Sequence, residues 1–145
     1  MKTILVPVDF SDISTRVVDT ARAFAQALGG RLVLLHVSEP EPDFVGFEPG
    51  PVSVRAAVAH DLKAEHQKLE AAKAAAAQGG MEVLALHIQG PLVEKILAEA
   101  ETCGAELIVM GSHGHGALYE LLVGSVTSGV LHRAKCPVLV VPARK

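Results

Sequence analysis

Leu107-Ile108-Val109-Met110-Gly111-Ser112-His113-Gly114-His115-Gly116 is the stretch that decides how this chain is organised. Four apolar residues run straight into a turn of glycines and histidines, and a helix-compatible region follows from Gly116 to Ala134, broken at Gly124. A short apolar run without polar alternation marks a strand covered on both faces. Glycines between such a strand and a helix let backbone N–H groups turn inward and admit a bulky anion.

Four more runs of the same kind are Ile4–Val8, Leu32–Val37, Val83–Ile88 and Val138–Val141. Amphipathic stretches separate them. The first spans about Ser14 to Leu28, with Val17, Val18, Ala21, Phe24, Ala25 and Leu28 on one stripe and Gly29-Gly30 as its stop. The second spans about Val54 to Gln78 and is rich in alanine. The third places Pro91 at its first position, Val93, Ile96, Leu97 and Ala100 on one face, and Gly104 at its end. Strict alternation predicts an α/β fold, a single open five-stranded parallel sheet with helices on both faces, Rossmann-like. One domain is expected over residues 1–145. A connection from Ser38 to Ser53 carries Pro40, Pro42, Pro49 and Pro51 and is predicted to be a surface loop near a binding site.

Composition narrows the function. Half of the 145 residues are hydrophobic and the formal charge is −3, which excludes intrinsic disorder and argues against a nucleic-acid partner. No run approaches the roughly 20 apolar residues that a bilayer span needs, so no membrane partner is expected. Met1-Lys2-Thr3 leads directly into a strand-like run without a signal-peptide pattern, and the expected location is cytoplasmic. Cys103 and Cys136 form neither a framework nor a metal motif and are read as reduced thiols.

Two familiar glycine patterns fail. The Walker loop needs Lys after its last glycine, but Gly116 is followed by Ala117-Leu118. The dinucleotide fingerprint fails because Gly114-x-Gly116 is followed by Ala117-Leu118-Tyr119. A second turn at Gly124-Ser125 opens the last helix, where free N–H groups, the positive dipole end and the hydroxyls of Ser125 and Thr127 suit a phosphate.

The whole spacing Gly111-x2-Gly114-x9-Gly124-Ser125 resembles the G-x2-G-x9-G-(S/T) pattern of the universal stress protein family. The resemblance extends along the chain, through Ile4-Leu5-Val6-Pro7-Val8-Asp9, Leu34-Leu35-His36-Val37 and Cys136-Pro137-Val138-Leu139-Val140-Val141-Pro142. It implies strand order 3-2-1-4-5, a homodimer through the fifth, edge strand, and ATP or another adenine nucleotide at the ends of strands one and four. The rule that ligands bind where the winding of an open sheet reverses selects the same crevice.

Carried over by position, the resemblance assigns Asp9 to the nucleoside, with Pro7 as an apolar wall and the Val37 backbone at the adenine edge. It assigns Met110 and Gly111 to the ribose and α-phosphate, and Gly114, Gly124, Ser125, Val126 and Thr127 to the phosphates. Asp9 has a second reading as a cap of the first helix, a role open also to Ser11 and Asp12. One departure matters. No Lys or Arg occurs between Gly104 and Leu131, so a triphosphate would lean on N–H groups, hydroxyls and a divalent cation, Mg2+ or Mn2+. As imidazolium, His113 or His115 would add positive charge there. As a His-x-His metal pair they lack a third ligand nearby in sequence, and no metal-ligating residue is assigned; His36, His87 and His132 are read as structural. With no Ser-His-Asp spacing and no arginine at the loop, the expectation is a ligand-responsive binding protein rather than an enzyme. A slow ATPase and a dimeric interaction module without nucleotide are the alternatives.

Overall fold

The structure, a computed structural model, describes residues 2–38, 52–113 and 123–143. The proline-rich connection, the loop from Gly114 and the region expected to be helical up to residue 122 lie outside them.

The chain order is β1 (Thr3–Pro7), α1 (Ser14–Leu28), β2 (Arg31–Ser38), α2 (Val52–Ala76), β3 (Val83–Gln89), α3 (Leu92–Thr102), β4 (Leu107–Gly111), α4 (Ser125–Arg133) and β5 (Val138–Val141). All strand pairs are parallel, and the sheet runs β3-β2-β1-β4-β5. The expected order is therefore the observed one.

Alternate residues of one strand feed two cores. On one face Ile4, Val6, Leu32, Leu34 and Val109 pack with Val17, Ala21 and Ala25 of α1 and Leu69 of α2. On the other, Leu5, Val33, Leu35, Ile108 and Met110 pack with Ile96 of α3 and Val130 of α4. Two buried faces explain why β1, β2 and β4 read as continuous apolar runs. Ile4, Leu5 and Val6 are wholly inaccessible, and burial of each such side chain stabilises the fold by about 1.5–3 kcal/mol.

Helix ends follow local chemistry. At the end of α1, Gly29 adopts φ 65°, and Gly30 donates its N–H to the Ala25 carbonyl at 2.8 Å. Other residues rarely reach that left-handed conformation without strain. Pro91 caps α3 instead of occupying its first helical position: its ψ of 130° is extended, while its carbonyl accepts the first helical bond from Lys95. The stripe expected on α1 is too wide at its edge. Phe24 and Leu28 face solvent, and Val17, Val18, Ala21 and Ala25 do the packing.

One detail of register positions the site. β1 pairs with β2 as far as Pro7↔Leu35, and β4 pairs with β5 as far as Gly111↔Val141. Between β1 and β4 the pairing covers only Ile4↔Leu107 and Leu5↔Ile108. Past that point each central strand keeps its outer neighbour and loses its inner one, which opens a crevice at the carboxyl ends.

Candidate functional site

Behind that opening lies a cavity of about 650 Å³. Pro7 and Asp9 line it from the end of β1, Val37 from β2, and Met110, Gly111 and His113 from the end of β4. Gly124, Ser125, Val126 and Thr127 close it from the start of α4. Residues assigned from distant parts of the sequence thus share one wall-to-wall space. Gly114 lies outside the described residues.

The β1 end is built of committed side chains. Asp9 Oδ1 accepts the Ser11 N–H at 3.0 Å and the Ser14 hydroxyl at 3.1 Å. Ser14 is the first residue of α1, and Ile13 before it offers no side-chain cap. Asp9 therefore ties down the helix start, as its reading as a cap expects, and also lines the crevice. Next to it Phe10 sits at φ 61°, the described non-glycine residue with positive φ. Such strain persists only where surroundings impose it. Here the Phe10 ring packs on His36, centroids 4.5 Å apart, with Lys68 Nζ 5.8 Å above the ring. Lys68 is the single Lys or Arg among the described residues lining the crevice.

The β4 end is built of backbone. Ser112 joins three segments: its N–H donates to Val141 O, its carbonyl accepts from Gly124 N at 2.7 Å, and its hydroxyl accepts from Ala143 N. The Gly124 N–H is thus engaged, contrary to the expectation of a free donor. The first helical bond of α4 runs from Ser128 to Gly124, so the N–H groups of Ser125, Val126 and Thr127 precede it. The Thr127 hydroxyl is also committed, donating to Gly111 O at 2.7 Å; of the two hydroxyls expected to face a phosphate, it instead locks α4 onto β4. His113 Nδ1 lies 3.1 Å from Ser112 Oγ, while its Nε2 is buried with no hydrogen-bond partner. Buried polar atoms are nearly always partnered, and this one belongs to a residue that lines the cavity.

Three titratable lining residues were not foreseen from sequence as part of the site. His36, Glu65 and Lys68 enter it from β2 and α2. Glu65 Oε2 accepts the Ser38 hydroxyl at 2.5 Å and lies 3.4 Å from His36 Nε2 and 3.5 Å from His87 Nε2. Burial raises the Glu65 carboxyl, but the Ser38 hydrogen bond and the neighbouring His36 and His87 together hold it below its usual value. Desolvation, aided by the charge of His36, lowers His87.

An open parallel sheet with a ligand-sized crevice at its winding reversal, walled by a glycine turn and a helix start, defines a doubly wound α/β protein with a candidate small-molecule site. The comparisons narrow that class. The pattern of the Universal stress protein family matches residues 1–142. A Thermus aquaticus universal stress protein is 40% identical over 142 residues, covering 97% of this chain and 98% of its own length. The chain belongs to the universal stress protein family. The hypothetical protein MJ0577, whose structure was used to assign its biochemical function, superposes with a TM-score of 0.78 at 30% identity, over 99% of this chain and 97% of its own. A universal stress protein solved in complex with cAMP superposes with a TM-score of 0.72 at 26% identity, over 99% and 98% of the two chains.

Proposed function

We propose that this chain binds an adenine nucleotide, ATP foremost, in the crevice between β1 and β4 and acts as a ligand-responsive regulatory protein of the cytoplasm. The observation that carries this is the convergence of the β1 end, the β4 turn and the start of α4 on one cavity, lined also by His113, whose buried Nε2 has no hydrogen-bond partner among the described residues. A helix start with leading N–H groups is a ready anion site, and an imidazole beside it adds a side-chain group able to donate to a phosphate. The similar protein bound to cAMP supports an adenine ligand.

In this reading Asp9 takes the nucleoside hydroxyls, Pro7 packs on the sugar, and the Val37 backbone faces the adenine edge. Met110 and Gly111 follow the ribose and α-phosphate. Gly114, Gly124, Ser125, Val126 and Thr127 hold the remaining phosphates, Thr127 through its N–H. The donor set suits a Mg2+ or Mn2+ ion carried in with the nucleotide: the Ser125 hydroxyl and Asp9 carboxylate are hard oxygen ligands, and such ions otherwise keep waters and phosphate oxygens. When bound, that ion would supply the positive charge absent from this loop. Among the described residues no arginine lines the crevice to stabilise a transferring phosphoryl group.

Mass spectrometry of ligand released from freshly purified protein is the decisive experiment. Retained adenine nucleotide at near one per chain is the expected result. A chain that retains none, and that calorimetry shows to bind neither ATP nor AMP, would leave an interaction module instead.

The same reading includes a homodimer through β5, an edge of the sheet. Ile108 and Ser112 donate to the Pro137 and Val141 carbonyls; parallel alternation then turns the polar groups of Val138 and Val140 outward, a template for pairing. Leu139 and Val141 pack into the core, so Val140→Pro is the cleaner test. Sedimentation should show monomers; an undisturbed dimer would move the interface elsewhere.

A further inference from the structure

Three side chains from three elements converge at the β2 side of the crevice. His36 and His87 are paired directly in the β2–β3 register, and their rings lie 5.2 Å apart. Glu65 descends from α2 between them. The ligating atoms of the three residues all fall within 4.8 Å of one another.

The separations are informative. Glu65 Oε2 stands 3.4 Å from His36 Nε2 and 3.5 Å from His87 Nε2. A charge-assisted hydrogen bond would be about 2.7–2.9 Å. Tetrahedral ligands held about 2.0–2.1 Å from a zinc ion lie roughly 3.3–3.4 Å apart, close to the two glutamate–histidine separations, and the two histidine ligating atoms lie within 4.8 Å of each other.

Proton placement at His36 agrees. His36 Nδ1 is 2.7 Å from the Val8 carbonyl, which only accepts, so Nδ1 carries the hydrogen and donates it. Nε2 then presents the ring's remaining site. It is buried without a hydrogen-bond partner, in a residue only 7% exposed, and it faces Glu65. A backbone carbonyl fixing the far nitrogen is the arrangement that orients metal-bound histidines. Packing fixes the rings as well, Phe10 against His36 and His66 stacked on His87 at 6.1 Å. The Ser38 hydroxyl orients the carboxylate by donating to Glu65 Oε2, so the 2.6 Å contact with His87 Nε2 is donated by the ring, and a bound cation would displace that hydrogen and leave the His87 proton on Nδ1.

We propose that His36, Glu65 and His87 form a three-ligand site for a divalent transition cation of the zinc class, with its fourth position open to the crevice. Two imidazole nitrogens and one carboxylate oxygen suit zinc better than the hard cations that accompany phosphates. His36, Ser38 and Glu65 all line the cavity, so water or a ligand atom would complete the tetrahedron. The site is separate from the phosphate turns and does not depend on the nucleotide reading.

The test uses the full chain, stripped with chelator and titrated with Zn2+ by calorimetry and with Co2+ by visible absorption. One equivalent per chain should bind, giving a four-coordinate Co2+ spectrum that Zn2+ erases. Glu65→Gln and, separately, His87→Gln should each lower affinity by more than about 100-fold, because losing even an outer hydrogen-bond partner costs up to that much. Circular dichroism checks that each variant is folded. His132→Gln, on the exposed end of α4, should change nothing. In the unaltered chain, ring nitrogen resonances of His36 and His87 should shift with the first equivalent, which reads the site even if both variants unfold. Absence of stoichiometric binding, unchanged affinity in folded Glu65→Gln, or shifts confined to other histidines would overturn the proposal.

Discussion

The two ends of the same sheet are built on opposite plans. At the amino ends of the strands, loops are tied by backbone bonds: Arg31 N–H to Lys2 O at 2.8 Å, Glu106 N–H to Thr3 O at 2.9 Å, and Leu32 N–H to Glu82 O at 3.0 Å. Its charges pair on the surface, Lys2 with Glu106 and Lys135 with Glu101, and exposed pairs of this kind contribute little. At the carboxyl ends the central strands part, Phe10 is held in a strained conformation, and the buried Ser11 Oγ, His36 Nε2 and His113 Nε2 lack hydrogen-bond partners. The first end has nearly finished its hydrogen bonding, leaving Arg22 Nε as its one unpartnered buried side-chain atom among the described residues, and the other has left it open at three. Strain and unpaired polar groups gather where a partner from outside completes the structure.

The contrast is broken most directly at Gly124. Its φ of −61° and ψ of 158° suit any residue, and a Cβ there would meet Ser112 O at 3.4 Å and His113 Cα at 3.6 Å, ordinary contacts. The protein alone does not need glycine at this position. Valine's branched end would reach past those contacts into the gap between the two turns. Gly124→Val should therefore stay folded and lose nucleotide affinity by at least about 100-fold, near 2.7 kcal/mol. Unchanged affinity in calorimetry of the folded variant would remove the phosphate assignment.

Thr127 sharpens the comparison, because its hydroxyl belongs to the scaffold of the open end. It is buried and donates to Gly111 O. Thr127→Val keeps the shape and leaves that carbonyl unpaired, a cost of about 1–3 kcal/mol. Thermal melts should register that loss, nucleotide affinity should fall about tenfold as α4 loosens from β4, and Thr127→Ser should restore both. Full affinity in a destabilised Thr127→Val would mean that α4 takes no part in holding the ligand.

A milder perturbation is chelation. With no Lys or Arg between Gly104 and Leu131, a triphosphate needs a divalent ion more than a monophosphate does. Chelator should weaken ATP binding several-fold and leave AMP binding nearly unchanged. Equal losses would contradict the charge argument.

The amino-acid order made the sheet legible because each central strand is buried on both faces and so reads as an uninterrupted apolar run. Leu5 and Val6 face opposite cores, leaving no alternation to confuse strand with helix. The crevice was legible only in part. The spacing from Gly111 to Gly124-Ser125 located it, but not that the Gly124 N–H and Thr127 hydroxyl are spent on Ser112 and Gly111, since hydrogen-bond partners across the turn depend on geometry. The His36–Glu65–His87 cluster was missed because its members are far apart in the chain and meet only through the β2–β3 register and the phase of α2. A signal did exist. Leu35-His36-Val37 and Leu86-His87-Ile88 each carry a histidine one residue inside the end of an apolar run, and parallel pairing of the two strands aligns them.

The smallest effect is expected at the finished end. Cys103 caps the end of α3 and Cys136 precedes β5, both free and both packed against the core shared by Ile96 and Val130. Burial pushes each thiol above its ordinary value, so both stay protonated near neutrality and react slowly. A group whose folded value is raised contributes stability that is complete below the unfolded value and is lost as pH climbs through the folded one. Melting temperature of the native chain should therefore decline as pH rises past about 8.5, the unperturbed thiol value. The double variant Cys103→Ser, Cys136→Ser should lack that part of the decline, and its nucleotide affinity should match the native chain with or without reductant. Rapid alkylation of either cysteine at neutral pH would contradict the raised thiols, and affinity that follows the redox state would show that the amino ends are coupled to the crevice after all.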